Sequence, residues 1–181
     1  MKITKTFIED LLIIEPQLFM DGRGFFFESY NKNNLAKNIN TVFVQDNESR
    51  SVQGVVRGLH FQKPPYEQTK LVRCVSGNIL DVAVDIRTNS KTYGKYFSIE
   101  LSSDNNKQLL IPKGFAHGFQ VLSETALVNY KVDNFYNVNY ESGIIWNDKI
   151  LSIDWNYDLN SILSEKDLKL NSFKSLKSPF K

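Results

Sequence analysis

The sequence predicts an all-β fold, an antiparallel β-sandwich or barrel with a few short peripheral helices. Two observations favour this class. Short alternating or apolar runs recur along the chain with turn residues between them, and long segments of helical periodicity are rare. The length of 181 residues fits one domain, so residues 1–181 are expected to share a core without disulfides or metal ions.

Ten runs are predicted as strands in chain order. They are LLIIEP, GFFFESY, TVFVQD, KLVRCV, NILDVAVDIR, KYFSIELSS, KQLLIP, GFQVLS, ALVNYKV and SGIIWND. The N-terminal run KITKTF is a further strand candidate, suited to a subunit interface. Helical patterns occur only in NKNNLAKN and in the segment from about residue 164, which begins with a capping-box pattern, Ser164 to Asp167, and is expected to pack over the barrel.

Strand alternation distributes the side chains of two runs between opposite faces. In NILDVAVDIR one face is apolar and predicts core, whereas the other carries Asp81, Ala83, Asp85 and Arg87. That second face is either exposed to solvent or the wall of a polar pocket inside a barrel. In KLVRCV, Lys70 lies on the face of two apolar neighbours, so it either extends along a rim or points into a site that uses its charge.

The composition argues against several classes of protein. Lys and Arg number 22 against 20 Asp and Glu, without a dense basic run, so nucleic acid is not an expected partner. No long apolar span indicates a membrane segment and no signal peptide opens the chain. The single cysteine, Cys74, cannot form an intrachain disulfide and is expected to be a buried inert thiol, so a cytoplasmic location is predicted.

The two histidines are candidates for chemistry. His117 lies in PKGFAH, whose spacing resembles the second motif of the cupin superfamily of small jelly-roll barrels. Metal-binding cupins carry an H-x-H pair in their first motif, where this chain reads His60-Phe61-Gln62. Two histidines without a nearby cysteine make a poor metal site, so a bound metal ion is not expected.

Five segments in series resemble a narrower family, the dTDP-4-dehydrorhamnose 3,5-epimerases. They are DGRGFFFESYN at 21–31, VQDNESRS at 44–51, GVVRGLHFQKPPYEQTKLVRCVSGNILDVAVDIR at 54–87, IPKGFAHGFQVLS at 111–123 and GIIWND at 143–148. The resemblance implies a cupin-like jelly-roll homodimer that needs no cofactor. Its implied substrate is a nucleoside diphosphate 4-keto-6-deoxy sugar, inverted at the carbons beside the ketone.

The resemblance also implies four catalytic residues. Removing a proton beside a carbonyl requires a base, a charge near the developing enolate and an acid on the opposite face. His60 would be the base, and Asp167 would bind its other ring nitrogen and select its tautomer. Tyr130 would donate the proton from the far side, and Lys70 would stabilise the enolate.

Ten substrate-binding residues follow from the same resemblance. They are Arg23, Glu28, Gln45, Asp46, Asn47, Arg57, His117, Tyr136, Glu141 and Lys166. The arginines suit the diphosphate, and Tyr136 would stack on the nucleobase. Strict alternation separates Arg57 from His60, so a bulge or strand end is predicted at Gly58.

Several alternatives remain open on the sequence. The enzyme could invert C3 or C5 alone, or act on a GDP-linked keto-heptose of surface polysaccharide synthesis. A thymidine, guanosine or cytidine base would each offer a π-face to Tyr136. More distant alternatives are a non-catalytic sugar-nucleotide-binding module and a metal-dependent cupin oxygenase.

Overall fold

The computed structural model describes residues 1–35, 41–156 and 159–181. Within these ranges the chain forms thirteen strands, two short helices and two 3-10 turns. The strands are β1 Lys2–Lys5, β2 Leu12–Glu15, β3 Phe19–Asp21, β4 Gly24–Phe26, β5 Gln45–Val52, β6 Val56–Gln62, β7 Lys70–Ser76, β8 Asn78–Asp85, β9 Tyr96–Ser102, β10 Gln108–Ile111, β11 Phe115–Val121, β12 Thr125–Val132 and β13 Glu141–Gly143. The helices are α1 Lys32–Leu35 and α2 Glu165–Leu168, and the 3-10 turns are Val138–Tyr140 and Phe173–Ser175.

The strands build two antiparallel sheets and one separate hairpin. The six-stranded sheet has the order β1-β2-β10-β7-β12-β5, the five-stranded sheet has the order β13-β6-β11-β8-β9, and β3 pairs with β4. Apolar side chains from both sheets, among them Val72, Leu109, Val128, Leu101 and Phe119, form the main core. Two sheets packed face to face confirm the predicted all-β class.

Strand β8 is buried on both faces. Val82, Val84 and Ile86 pack in a second core under the C-terminal part of the chain, together with Trp146 and Trp155. The opposite face carries two fully buried carboxylates: Asp81 contacts His117, and Asp85 contacts Arg87. The polar face of NILDVAVDIR is therefore an interior wall and not a solvent-exposed surface.

Strand β6 contains the predicted irregularity. His60 pairs with His117 and Arg57 with Phe119, so three steps along β6 match two along β11. Gly58 has φ +127°, and a Cβ there would lie 2.5 Å from the Cα of Gly118. A bulge at Gly58 is thus confirmed, and it lets Arg57 and His60 face the same cavity.

Four predicted elements differ from the structure. In TVFVQD only the last two residues belong to a strand, because β5 begins at Gln45 and continues through the polar sequence to Val52. GFFFESY and SGIIWND form only the short strands β4 and β13. The predicted helix NKNNLAKN is reduced to α1, and its residues 36–38 lie outside the described part of the chain.

Candidate active site

His60 and Asp167 form the centre of the site. His60 lies on β6 between Gly143 of β13 and His117 of β11, and its Nε2 is 2.6 Å from Oδ1 of Asp167. Asp167 is 4% exposed, whereas the His60 side chain is 28% exposed. The pair therefore has a buried end at the carboxylate and an accessible end at the imidazole.

The conformation of the C-terminal segment brings Asp167 to His60. Parallel bridges join Val55 to Ile162 and Ile144 to Asn171. The segment that carries Asp167 is therefore attached on both sides of that residue, next to β6 and next to β13. Ser164 is the N-cap of α2, and its hydroxyl accepts a hydrogen bond from the Asp167 N–H. The capping pattern predicted from the sequence thus orients the residue that contacts His60.

Asp167 is ionised in this arrangement. Burial opposes ionisation, but hydrogen bonds with His60, the Gly58 N–H and Ser164, together with the charge interaction with His60, lower the pKa of Asp167 below its usual value. An ionised carboxylate can only accept, so Nε2 of His60 carries the proton that it donates. The tautomer leaves Nδ1 of His60 as the basic atom.

Lys70 and Tyr130 lie on neighbouring strands, β7 and β12, and face the interior. The Lys70 Nζ is 5.8 Å from the centroid of the Tyr130 ring. Burial lowers the pKa of Lys70 to about 8, against the raising effects of Asp81 and Glu141. Burial also raises the pKa of Tyr130, an effect that Arg57 opposes and Glu141 reinforces. Lys70 points into the cavity and not along a rim.

Two adjoining cavities contain His60, Lys70 and Tyr130. The larger, of about 450 Å³, is also lined by Arg57, His117, Lys166 and Asp167. The smaller, of about 250 Å³, is also lined by Gln45, Asn47, Gln62, Tyr136 and Glu141. An imidazole, an amine and a phenol therefore line the same interior space, and groups of these kinds can transfer protons beside a carbonyl.

The other substrate-binding candidates of these cavities are held by specific contacts. Arg57 donates from Nε to the Ser51 hydroxyl at 3.0 Å, and His117 lies 2.9 Å from the buried Asp81. Glu141 lies between two partners: Lys166 Nζ at 2.5 Å and the Tyr136 hydroxyl at 2.6 Å. Gln45 donates to Asn47 at 2.8 Å.

Three candidates lie away from the cavities that contain His60. Arg23 is paired with Asp21 in the β3–β4 hairpin, and its side chain is 90% exposed. Glu28 accepts hydrogen bonds from two asparagines and lines a separate cavity of about 90 Å³. Asp46 alternates with Gln45 and Asn47 along β5, so it points to the opposite face and pairs with Lys131. This single chain does not bring these three side chains to His60.

Asp81 is a residue of the site that was not among the candidates. It is completely buried, contacts His117, and its charge raises the pKa of Lys70 against the effect of burial. The signal available in the sequence was the polar face of NILDVAVDIR, which alternation alone could not place.

Among the described residues, no group of three or more His, Cys, Asp or Glu side chains is arranged to hold a metal ion. Within the same ranges, no helix has the length and apolar character needed to cross a membrane.

Comparison with known proteins shows similarity to one family of enzymes. The model of the dTDP-4-dehydrorhamnose 3,5-epimerase family matches residues 5–175. The chain is 51% identical over 175 residues to the dTDP-4-dehydrorhamnose 3,5-epimerase of Shigella flexneri, covering 96% of each chain.

Solved structures show the same similarity. The crystal structure of dTDP-4-dehydrorhamnose 3,5-epimerase from Elizabethkingia anophelis superposes with a TM-score of 0.92 at 50% identity, covering 98% of each chain. That of dTDP-6-deoxy-D-glucose-3,5-epimerase from Legionella pneumophila, in complex with dTDP-4-keto-L-rhamnose, superposes with a TM-score of 0.94 at 44% identity, covering 97% of this chain and 94% of that one.

Proposed function

The chain belongs to the dTDP-4-dehydrorhamnose 3,5-epimerase family, and from this premise we propose how its own residues carry out the reaction. It is an isomerase that inverts C3 and C5 of a 4-keto-6-deoxy sugar linked to dTDP. The observation that supports the assignment of roles is the His60–Asp167 pair, whose imidazole opens onto a cavity shared with Lys70 and Tyr130.

The first step is removal of a proton from the carbon beside the ketone. Nδ1 of His60 accepts this proton. The C–H electron pair forms a C=C bond to C4, and the π electrons of the ketone move to its oxygen, which gives an enolate with its charge on the C4 oxygen. The ionised Asp167 stabilises the imidazolium that forms. Lys70 as an ammonium ion stabilises the enolate oxygen, in an interior where a charge interaction is stronger than in water.

The second step is protonation of the same carbon on the opposite face. The Tyr130 hydroxyl donates its proton as the enolate electrons return to the carbon, which restores the ketone with inverted configuration. His60 then loses its proton to solvent and the Tyr130 phenolate gains one. Each inversion therefore replaces a substrate hydrogen with one from water.

The remaining cavity residues bind the two ends of the substrate. We assign Arg57, His117 and Lys166 to the diphosphate, because they place basic groups along the larger cavity. Tyr136 stacks on the nucleobase, with Glu141 fixing its hydroxyl. Gln45 and Asn47 supply amide groups to the smaller cavity.

The family implies a homodimer, and the β3–β4 hairpin supports one. Four of its apolar side chains are more than half exposed: Phe19, Met20, Phe25 and Phe26. Such a patch is typical of an interface. We propose that a partner covers it and that Arg23 and Glu28 act in the site of the partner subunit, since they are remote from His60 in their own chain.

The family also supports two coarser proposals about the whole chain. Residues 1–181 act as one epimerase domain, because both sheets contribute to one core and the C-terminal segment completes the site. The protein works in the cytoplasm, where its buried free thiol Cys74 would stay reduced. Burial raises the pKa of Cys74 to about 11, as expected for an inert thiol.

Proton NMR in deuterated water tests the reaction and its base together. With dTDP-4-keto-6-deoxyglucose as substrate, the wild-type protein is expected to exchange the hydrogens at both C3 and C5. The His60→Asn variant should retain its melting temperature and dTDP affinity but exchange at least about 100-fold more slowly. Exchange at only one carbon would identify a single-site enzyme, and absence of exchange in the wild type would overturn the proposal.

A further inference from the structure

Gln62 is a buried polar residue that the mechanism above does not use. It is the last residue of β6, two positions after His60, and it is 4% exposed. In the register of the sheet it pairs with Glu141. It therefore lies between the base of the reaction and the segment that carries Tyr136.

The amide of Gln62 binds three backbone groups. Its nitrogen donates to the carbonyl of Tyr66 at 2.7 Å and to the carbonyl of Phe135 at 3.1 Å. Its oxygen accepts from the N–H of Asn137 at 2.6 Å. Two carbonyls and one N–H define the orientation of the amide, because the flipped side chain would face each group with the wrong atom.

Two of these three groups are on either side of Tyr136. Phe135 and Asn137 are its immediate neighbours, so Gln62 holds the backbone before and after the aromatic residue. Tyr136 is 54% exposed, and its hydroxyl is fixed separately by Glu141. The backbone contacts thus hold an exposed ring at a defined distance from His60.

This position is the one at which metal-binding cupins carry the second histidine of H-x-H. An imidazole has two ring nitrogens and could not serve two carbonyls and one N–H together. Glutamine supplies two donor hydrogens and one acceptor from a single side chain. The residue that replaces a metal ligand therefore has a definite function of its own in this chain.

We propose that Gln62 is a positioning residue for nucleobase recognition, which sets Tyr136 at the correct distance from His60. This inference rests on the proposed function, because it requires Tyr136 to stack on the base. It predicts an effect on binding of the nucleoside end of the substrate, with little effect on the diphosphate end or on proton transfer.

The test compares affinity for dTDP with affinity for inorganic pyrophosphate. In Gln62→Leu we expect the Kd for dTDP and the KM for dTDP-4-keto-6-deoxyglucose to rise about tenfold, from the loss of hydrogen bonds that position the loop. The Kd for pyrophosphate and the kcat should change by less than about threefold. If Gln62→Leu does not fold, Gln62→Met keeps the length of the side chain, loses its hydrogen bonds without adding a charge, and should show the same selective loss.

Gln120→Leu is the matched control. Gln120 is fully buried and holds the backbone of Asn156 through both atoms of its amide, remote from Tyr136. Its loss should leave the preference for dTDP over pyrophosphate unchanged. The inference is overturned if Gln62→Leu binds dTDP normally, if both ligands weaken equally, or if kcat falls while KM is unchanged.

The two proposals fail in different ways. If the wild-type protein binds no dTDP and exchanges no substrate hydrogens, the proposed function itself is wrong. If Tyr136→Ala weakens dTDP binding and the Gln62 variants do not, the proposed function stands and only the role of Gln62 is wrong.

Discussion

At the scale of single residues, Lys70 has the most distinctive electrostatic environment among the proposed catalytic groups. Its ordinary pKa of 10.5 falls to about 8 because burial disfavours the ammonium form. Asp81 and Glu141 oppose that shift and keep a charged amine accessible near neutral pH. Because Asp81 and Glu141 offset only part of the cost of burying the ammonium ion, negative charge that develops on an enolate would stabilise it further.

We predict that kcat/KM falls as the pH rises through about 8, because Lys70 loses the charge that stabilises the enolate. The Lys70→Met variant should lose this alkaline decline, and its kcat should be about 10² to 10³ lower. A pH–rate profile of both proteins measures this effect. An alkaline decline that persists unchanged in Lys70→Met would assign it to another group.

Titration of Lys70 should also change stability: the unfolding free energy should rise with pH over the range in which kcat/KM falls. Because the folded pKa is about 8 and the ordinary value is 10.5, the unfolded chain binds more protons between these values, and the contribution of Lys70 to the unfolding free energy rises with pH there. Lys70→Met should therefore be more stable than wild type at pH 7, and the difference should shrink as the pH rises above 8. Urea unfolding tests this against Lys91→Met, which changes an exposed lysine.

At the scale of elements, the bulge in β6 decides which side chains reach the cavity. The backbones of β6 and β11 approach so closely that glycine stands on both strands: a Cβ at Gly58 would lie 2.5 Å from the Gly118 Cα, and one at Gly118 would lie 2.6 Å from the Arg57 carbonyl oxygen. This close approach brings Arg57 and His60 to one side of the strand.

Gly58→Ala should reduce the unfolding free energy by at least about 2 kcal/mol, because φ is positive and the added methyl meets backbone atoms that cannot move aside. Activity should fall with it, since His60 follows the bulge. Lys91→Ala is the control: Lys91 is exposed, and its stability should change by less than about 0.5 kcal/mol. Denaturant unfolding that gave equal losses for both variants would contradict the account of the bulge.

Helix α2 is a second element whose geometry serves the site. The Ser164 hydroxyl accepts from the Asp167 N–H, so Ser164→Ala should cost about 1 kcal/mol of stability and about tenfold in kcat as Asp167 loses its orientation toward His60. Ser172→Ala is matched to it, because Ser172 also precedes a helical turn but caps it with no side-chain hydrogen bond. Comparable kcat values for the two variants would show that the cap does not position Asp167.

At the scale of the whole molecule, the β3–β4 hairpin is the part that a single chain leaves unexplained. It is an isolated two-stranded sheet with exposed aromatic side chains, and such a hairpin is marginally stable by itself. A partner subunit would stabilise it by burying this surface. The same association would bring Arg23 to the active-site cavity of the partner subunit.

We expect light scattering at micromolar concentration to give twice the mass of the chain. Phe26→Glu should shift the protein toward monomer and lower its activity, because it places a charge in the proposed interface. Arg23→Ala should lower activity while leaving the mass unchanged. Ile150→Glu is the control, since Ile150 is 60% exposed but remote from the hairpin in sequence. A fully active monomer would show that the dimer is unnecessary.

The sequence by itself determined the class of the fold and the family, and it supplied the residues that we propose for the site. Alternation in KLVRCV and NILDVAVDIR depends only on neighbouring residues, and it correctly indicated antiparallel strands. The motifs supplied His60, Lys70, Tyr130 and Asp167, because a motif records which groups are present. The bulge at Gly58 also followed from local reasoning, since two residues of one site had opposite parity.

Only the tertiary structure decided where each face of a strand lies. Asp81 is a partner of His117 because β8 pairs with β11 and the face of β8 that carries Asp81 is turned to the interior between the two sheets. Strand β5 escaped sequence reasoning because its inward side chains line a polar cavity and so lack the apolar signal of a core. The positions of Arg23 and Glu28 relative to His60 likewise depend on contacts between distant segments. Local patterns specify which side chains share a face, whereas the packing of remote elements decides whether that face becomes core, solvent or site.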